Sequence, residues 1–80
     1  MVGVASVKPM KDYTLFLTFT NGRKGVLDVK PYLNRGPVFR QIANPVTFSS
    51  VRVSDGETVE WVNGADICPD TVYAKTVFVD

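Results

Sequence analysis

The sequence contains no histidine and only one cysteine, Cys68, among its 80 residues. A disulfide within the chain needs two cysteines, and a structural zinc site usually takes four Cys or His ligands. A catalytic triad or general base built on histidine is excluded as well. The sequence therefore predicts no disulfide, no zinc centre and no histidine-based catalysis.

Long apolar runs and net charge are also lacking. No stretch is long enough to span a bilayer or to form the apolar core of a signal peptide. Nine basic against eight acidic side chains give a formal net charge of +1, which provides no overall attraction to nucleic acid or to a membrane. We therefore expect a cytoplasmic protein with no membrane contact.

The chain is 45% hydrophobic, which is enough for one small core. A domain of this length buries only about 60–65% of the surface that its unfolded chain exposes, so its stability margin is thin. Such cores are often completed by a partner chain, a metal or disulfides. Because the composition removes disulfides and all metal sites apart from one with oxygen ligands, oligomerisation is favoured, and we expect a homodimer.

The clearest local pattern covers residues 13–20, where odd positions are apolar and even positions are threonine apart from Phe16. This period of two predicts a strand, and the following Asn21-Gly22 predicts a two-residue type I′ turn into a second strand. The cross-strand pairs are then Phe19–Lys24, Leu17–Val26 and Phe16–Leu27. Both faces of the hairpin are partly apolar in this register, so we expect something to cover the second face.

Proline and asparagine delimit the neighbouring elements. A strand from Val2 to Lys8 ends at Pro9 and completes a three-stranded meander. Three helical segments are expected on the same grounds. They are a short turn at residues 31–33, a helix from Val38 to Ala43 that Pro37 opens and Asn44-Pro45 stops, and a last helix from Asp70 to about Lys75 that Pro69 opens.

A second hairpin is predicted around Asp55-Gly56. A two-residue loop would divide the apolar side chains between both faces, whereas a three-residue loop at 55–57 pairs Val53 with Val59. The same loop sets Val51 against Trp61. Because a one-residue slip turns every side chain to the other face, we favour the three-residue loop, with a bulge at Gly56.

These elements predict one α+β domain at residues 1–75. It consists of a small antiparallel sheet, made of the three-stranded meander plus the second hairpin, with two or three short helices. Residues 76–80 are apolar and β-prone at Val77, Phe78 and Val79. They form either an added edge strand or a disordered tail.

Charge is distributed unevenly along the chain. Residues 1–52 hold eight bases and two acids, for +6, whereas residues 53–80 hold one base and six acids, for −5. Three explanations remain open: the halves neutralise each other within the fold, they meet between copies in an oligomer, or a basic face binds nucleic acid.

A series of short phrases resembles the small bacterial domain-of-unknown-function family 2442 over residues 3–75. The phrases are Pro9; Tyr13-Thr14-Leu15; Phe19-Thr20-Asn21-Gly22; Asp28; Pro31 to Leu33; Val38-Phe39; Asn44-Pro45 with Phe48; and Trp61 to Ile67 with Pro69 and Tyr73. The resemblance implies a compact α+β domain without established catalytic residues. Some members stand alone, and among these a toxin–antitoxin-like pairing with a small neighbouring protein is suspected. Other members precede a helix-turn-helix, which we do not expect in this chain.

Trp61, Asn63 and Asp66 allow two interpretations. They form a recognition surface, or they have ordinary local roles, with Trp61 buried, Asn63-Gly64 in a turn and Asp66 capping the last helix. The ordinary roles are the simpler interpretation. Together with Phe16 from the two-sided hairpin, the three residues are the candidate partner-binding set.

The remaining reactive side chains give weaker indications. Asp66 and Asp70, with Asp28 and Asp55 nearby, are candidates for a Mg²⁺ or Ca²⁺ site or for acid–base chemistry, but Asp is common in turns and caps and no spacing matches an EF-hand loop. Cys68 precedes the last helix without a histidine to serve as its base. We therefore assign no catalytic residue, no cofactor and no metal.

We expect a non-enzymatic protein-interaction module that self-associates as a homodimer and acts on a small protein partner in an antitoxin-like or regulatory way. The alternative is a weak nucleic-acid-binding protein that uses the basic N-terminal two-thirds of the chain. Its candidate residues are Lys8, Lys11, Arg23, Lys24 and Arg52. The absence of a basic run and the single tryptophan make this alternative the weaker one.

Overall fold

A four-stranded antiparallel sheet forms the centre of the computed structural model, which describes residues 2–80. Its strands are β1 (Val4–Met10), β2 (Thr14–Phe19), β3 (Lys24–Asp28) and β6 (Val77–Phe78), in the order β1-β2-β3-β6. The predicted meander of β1, β2 and β3 is therefore confirmed. Met1, with which the predicted domain begins, lies outside the described residues.

A second hairpin and three short helices complete the fold. The hairpin consists of β4 (Arg52–Val53) and β5 (Val59–Glu60), and the helices are α1 (Pro37–Gln41), α2 (Pro45–Phe48) and α3 (Pro69–Lys75). Each helix begins at a proline, whose missing N–H is one of the donors that a first turn would leave unpaired. The predicted α+β class, with its antiparallel sheet, second hairpin and short helices, is confirmed.

The first hairpin has a different register from the predicted one. Its pairs are Leu17–Gly25, Phe16–Val26 and Leu15–Leu27, so the predicted pairs are wrong by one residue. The loop has three residues, because the Phe19 N–H donates to the Arg23 carbonyl at 2.8 Å and Gly22, at φ +87°, donates to the Phe19 carbonyl. This shift moves Val26 to the same face as Phe16 and Leu27 to the same face as Leu15.

The second hairpin has the predicted three-residue loop and the predicted pairing of Val53 with Val59. Its residue in the left-handed region is Glu57, at φ +58°, and not Gly56. A third loop, at residues 62–64, has the same hydrogen bonds, since Trp61 N–H donates to the Ala65 carbonyl at 2.8 Å. All three loops therefore consist of a turn followed by a residue with positive φ.

Two element boundaries differ from the predictions. β1 continues to Met10 through Pro9, because β1 is an edge strand, where a missing N–H costs no bond within the sheet. α1 ends at Gln41, and α2 follows it where no helix was expected. The Asn44 side chain accepts a hydrogen bond from the Val46 N–H at 2.9 Å. Asn44 is therefore the N-cap of α2 as well as part of the segment that separates α2 from α1.

The core lies between the inner face of the central sheet and the second half of the chain. Trp61 is completely buried there, and its indole Nε1–H donates to the Phe48 carbonyl at 3.0 Å. The buried apolar side chains are Val4, Leu15, Leu17, Phe19, Leu27, Val29, Tyr32, Ile42, Phe48, Val59, Trp61, Ala65, Ile67 and Val72.

Residues 77–78 form the edge strand β6, the first of the two alternatives considered for this segment. β6 pairs with β3 through Gly25–Phe78 and Val26–Val77. A Cβ atom on Gly25 would lie 2.6 Å from the Val77 carbonyl oxygen and closer still to Thr76 Cγ2. The close approach of β6 to β3 therefore requires glycine at position 25.

Candidate interaction surface

The outer face of the central sheet presents a row of side chains that crosses all four strands. Lys8 is paired with Phe16, Phe16 with Val26, and Val26 with Val77, so the four side chains lie on the same face. Phe16 and Val26 are half-buried, and Val77 is 70% exposed. The two-sided apolarity expected from the sequence therefore persists, although Val26 rather than Leu27 accompanies Phe16.

An open cavity of about 540 Å³ lies at the β3–β6 end of this face. We call it the β6 groove. It is lined by the apolar residues Val26, Pro31, Tyr32, Val77 and Val79 and by the charged residues Asp28, Arg35 and Lys75. Val77 and Val79 leave 70% and 60% of their surface exposed, although both are large aliphatic residues on one short strand segment.

The charges around the β6 groove are predominantly basic. Lys30 donates to Asp28 Oδ1 from its ammonium group at 2.9 Å and from its backbone N–H at 3.0 Å. These hydrogen bonds lower the pKa of Asp28, so the carboxylate stays ionised and its charge is already paired. Within residues 2–80, neither Arg35 nor Lys75 forms an ion pair. The groove therefore keeps two cations available to a partner.

The two edges of the central sheet are built differently. β1 carries a register shift between Val4 and Ser6, an exposed Lys8 and a Pro9 that cannot donate, all of which discourage another strand from pairing. The Val4 N–H also donates to the Glu57 carbonyl of the second hairpin at 2.7 Å. β6 carries none of these protective features between residues 77 and 79. Only the β6 edge is therefore suited to accept a further strand.

Two of the predicted partner-binding residues, Phe16 and Trp61, differ in their exposure to solvent. Phe16 is on the outer face, one strand away from the β6 groove. Trp61 has no exposed surface and is hydrogen-bonded in the core, so it offers no contact to a partner. Trp61 is inaccessible because its large ring is buried against Phe48, with 6.1 Å between the ring centroids.

Asn63 and Asp66 belong to neither the groove nor the core. The Asn63 amide donates to the Val38 carbonyl and to the Gln41 side-chain oxygen, both at 2.9 Å, which fastens the third loop to α1. Asp66 is exposed, and it does not cap α3, because Cys68 occupies the N-cap position without a side-chain hydrogen bond. The four predicted residues do not form one surface.

Of the five basic candidates, Lys8 and Lys24 lie on the outer face. Lys11 lies in the 3₁₀ turn between β1 and β2. Arg23 lies over the Phe78 ring at 3.8 Å and forms an ion pair with Asp80, with 3.5 Å between nitrogen and oxygen.

Arg52 forms an ion pair with Glu60 at 3.0 Å, again between the basic and the acidic part of the chain. Two of the three ion pairs found within residues 2–80 thus connect residues 1–52 to residues 53–80. The charge asymmetry is partly neutralised inside the fold, while Lys8, Lys24, Arg35 and Lys75 remain outside these pairs.

Comparison with known proteins agrees with this architecture. The sequence profile of DUF2442, described as a protein of unknown function, matches residues 4–78. The chain belongs to this family. No curated protein matches the chain.

A solved structure similar to this family member is that of a candidate DNA-binding protein from Nitrosomonas europaea, with a TM-score of 0.81 and 26% sequence identity. The match covers 94% of the present chain and 48% of that one. The chain therefore spans about half the length of the solved relative.

A second cavity, of about 410 Å³, opens beside the 3₁₀ turn at the far end of β1. Asp12 and Tyr13 form its rim, and both adopt positive φ, at 61° and 59°. The Tyr13 hydroxyl donates to the Ala43 carbonyl, and its ring meets Phe48 edge-on at 5.2 Å. These contacts hold the unusual backbone in place, and no sequence pattern indicates the cavity.

The acidic and thiol side chains do not assemble into a centre. Within residues 2–80, no three carboxylate or cysteine side chains come together as metal ligands would. Cys68 is exposed and unpaired with another cysteine. α3, the longest helix of the described chain, has seven residues, so no helix there can span a bilayer.

Proposed function

We propose that this family member is a non-enzymatic protein-interaction module that acts through the β6 groove and the adjoining edge of β6. It self-associates there as a homodimer. In a cytoplasmic, antitoxin-like or regulatory role, a small partner protein would use or compete for the same surface. The observation that carries the proposal is the exposure of Val77 and Val79 beside Val26 on an unprotected edge strand.

The arrangement of exposed valines supports this choice. Single exposed apolar residues are ordinary on protein surfaces, whereas neighbouring ones mark interaction sites. Val46 and Val62 are 82% and 73% exposed but lie on α2 and in the third loop. Val77 and Val79 share one cavity with three other apolar residues. Association at this site would bury both valines beside the edge of β6, whose outward backbone N–H and C=O groups have no neighbouring strand.

The test compares two double variants with matched chemistry. V77T/V79T replaces the valines of the β6 groove, and V46T/V62T replaces two more-exposed valines elsewhere. Threonine retains β-branching, so strand propensity is preserved while apolar area is lost. Light scattering and sedimentation over a wide concentration range should give a dimer for the wild type and for V46T/V62T. The V77T/V79T variant should remain a monomer at concentrations where the others associate.

Two results would contradict the proposal. If the wild-type protein stays monomeric up to millimolar concentration, the proposed self-association is wrong. Equal association of both double variants removes the β6 groove as its site. Circular dichroism and urea unfolding of all variants establish that the comparison is made between folded proteins.

Nucleic-acid binding is the second candidate. It is favoured by Lys8 and Lys24, which lie on the outer face with Phe16, and by the similarity to a candidate DNA-binding protein. Basic side chains around an aromatic ring suit single strands, which contact phosphates and stack bases. Mixed single-stranded DNA and RNA, titrated at low salt, should then bind with a steep salt dependence that K8E/K24E reduces. Absence of binding at low salt would remove this candidate.

A further inference from the structure

We propose that β6 of one copy pairs antiparallel with β6 of a second copy, with Phe78 facing Phe78 across a twofold axis. The two central sheets then join into one continuous sheet whose outer face is shared. This inference rests on the proposed self-association and specifies its register. Three properties of the segment from Lys75 to Asp80 are self-complementary and lead to the same alignment.

The first property is the direction of the backbone groups. The Val79 N–H donates to the Lys24 carbonyl at 3.0 Å, towards β3. Because successive residues of a strand direct their N–H and C=O groups to opposite sides, those of Phe78 are directed away from β3. At the open edge, Phe78 therefore supplies one donor and one acceptor. Two copies related by a twofold axis at Phe78 exchange both hydrogen bonds.

The second property is the distribution of side chains between the faces. Directly opposed residues in a sheet point to the same side, and Val77 and Val79 both line the outer groove. Pairing Phe78 with Phe78 sets Val77 of each copy against Val79 of the other. A slip of one residue would turn the second copy over and place its valines on the opposite side. The proposed register therefore merges the two β6 grooves and sets the two exposed valines of each copy directly against those of the other.

The third property is charge. Lys75 precedes β6, and Asp80 follows it. An antiparallel alignment centred on Phe78 sets Asp80 of one copy opposite Thr76 of the other, beside Lys75. A parallel alignment would instead bring like charges together. Lys75 is free of ion pairs within residues 2–80, whereas Asp80 is already paired with Arg23, so in the dimer Lys75 adds a second cation beside that carboxylate.

The same sheet supplies a contrast that favours β6 over its other edge. Pro9, Lys8 and the register shift disfavour β1 as a pairing edge. In addition, the Val4 N–H already donates to the Glu57 carbonyl of the second hairpin. Continuous pairing through β1 is therefore blocked, which limits the assembly to a closed pair of chains. A twofold contact of this kind uses one surface on each copy and leaves no further edge for growth.

Disulfide formation between single-cysteine variants tests the register. In a Cys68→Ser background, V77C and V79C are prepared separately, mixed and mildly oxidised. Val77 and Val79 of opposite copies form a non-hydrogen-bonded pair, with Cα atoms about 4.5 Å apart, which suits a disulfide. The mixture should form the V77C–V79C linked dimer at least about tenfold faster than either variant alone, whose cysteines are diagonal neighbours.

A mixture of V46C and V62C in the same background is the matched control, since both positions are at least as exposed as 77 and 79. A second measurement needs no substitution: amide exchange of Phe78 should slow at least about tenfold when the protein concentration passes from monomer to dimer. A dimer without the preferential 77–79 link, or without concentration-dependent protection of Phe78, overturns this register but leaves the proposed function intact. A monomer overturns both.

Discussion

Replacing Gly25 with alanine tests how β6 is attached to the sheet. The added Cβ would lie 2.6 Å from the Val77 carbonyl oxygen and 3.1 Å from the Phe78 Cα, where backbone cannot yield as a flexible side chain does. Either β6 moves away from β3, or it detaches. Overpacking of this kind costs about 1–3 kcal/mol.

The loss of free energy of unfolding cannot exceed the cost of detaching β6, which is of similar size to the overpacking cost. β6 would lose a few hydrogen bonds to β3, each worth about 1 kcal/mol net, and the partial burial of Phe78 against Phe19, whose ring centroid is 5.7 Å away. We therefore expect Gly25→Ala to lower the free energy of unfolding by about 2–3 kcal/mol.

Urea unfolding followed by circular dichroism measures this change. For a protein of this size the dependence on urea is about 1 kcal/mol per molar, so the midpoint should fall by about 2–3 M. Gly56→Ala is the control, because its nearest neighbour would be 3.7 Å away and its φ is outside the left-handed region. That variant should be unchanged or slightly more stable. If the two variants unfold within about 0.5 kcal/mol of each other, the reasoning about close approach is wrong.

Three further predictions concern other parts of the fold. Glu57→Gly should raise the unfolding free energy by about 0.5–1 kcal/mol in thermal melts, because Glu57 adopts φ +58° where the other two loops carry glycine; a lower stability would contradict this. Trp61→Phe should cost about 2–4 kcal/mol in urea unfolding, since it leaves a cavity and removes the indole hydrogen bond to the Phe48 carbonyl, and a loss below 1 kcal/mol would refute that account. Hydrogen bonds from Lys30 lower the pKa of Asp28. The pKa of Asp80 is also lowered: desolvation acts to raise it, but hydrogen bonds from Lys24 and from its own backbone and the charge of Arg23 outweigh that effect. The stabilisation from both acids is therefore complete above about pH 4 and lost as pH falls through their lowered values, and D28N/D80N should flatten that part of the stability–pH curve.

The sequence predicts one hairpin register correctly and the other wrongly, for a physical reason. In the second hairpin only the three-residue loop brings Val53 and Val59 together, so the apolar pattern selects it. In the first hairpin both faces carry apolar residues, and Phe16 has an apolar partner in either register. The pattern therefore could not choose between loops, and the Asn21-Gly22 dipeptide favoured the shorter one.

The candidate site depends on contacts that are distant in sequence. The apolar character of residues 77–79 is evident from the sequence, but their position beside Val26 follows from the close approach at Gly25, 53 positions before Phe78. No local pattern predicts that pairing. For Trp61 the sequence favours a buried side chain, but it does not predict the partner of the indole N–H, because the Phe48 carbonyl lies in α2, a helix that the sequence did not predict.

The short connections between β1, β2 and β3 have a consequence for the order in which the protein acquires structure during synthesis. β1, β2 and β3 are joined by local connections and can pair as soon as residue 28 has emerged, before Val59, Trp61 and Val72 have emerged. During that interval both faces of the nascent sheet present apolar side chains to water. The period in which this chain is most prone to aggregate therefore falls within its own translation, before α3 leaves the ribosome.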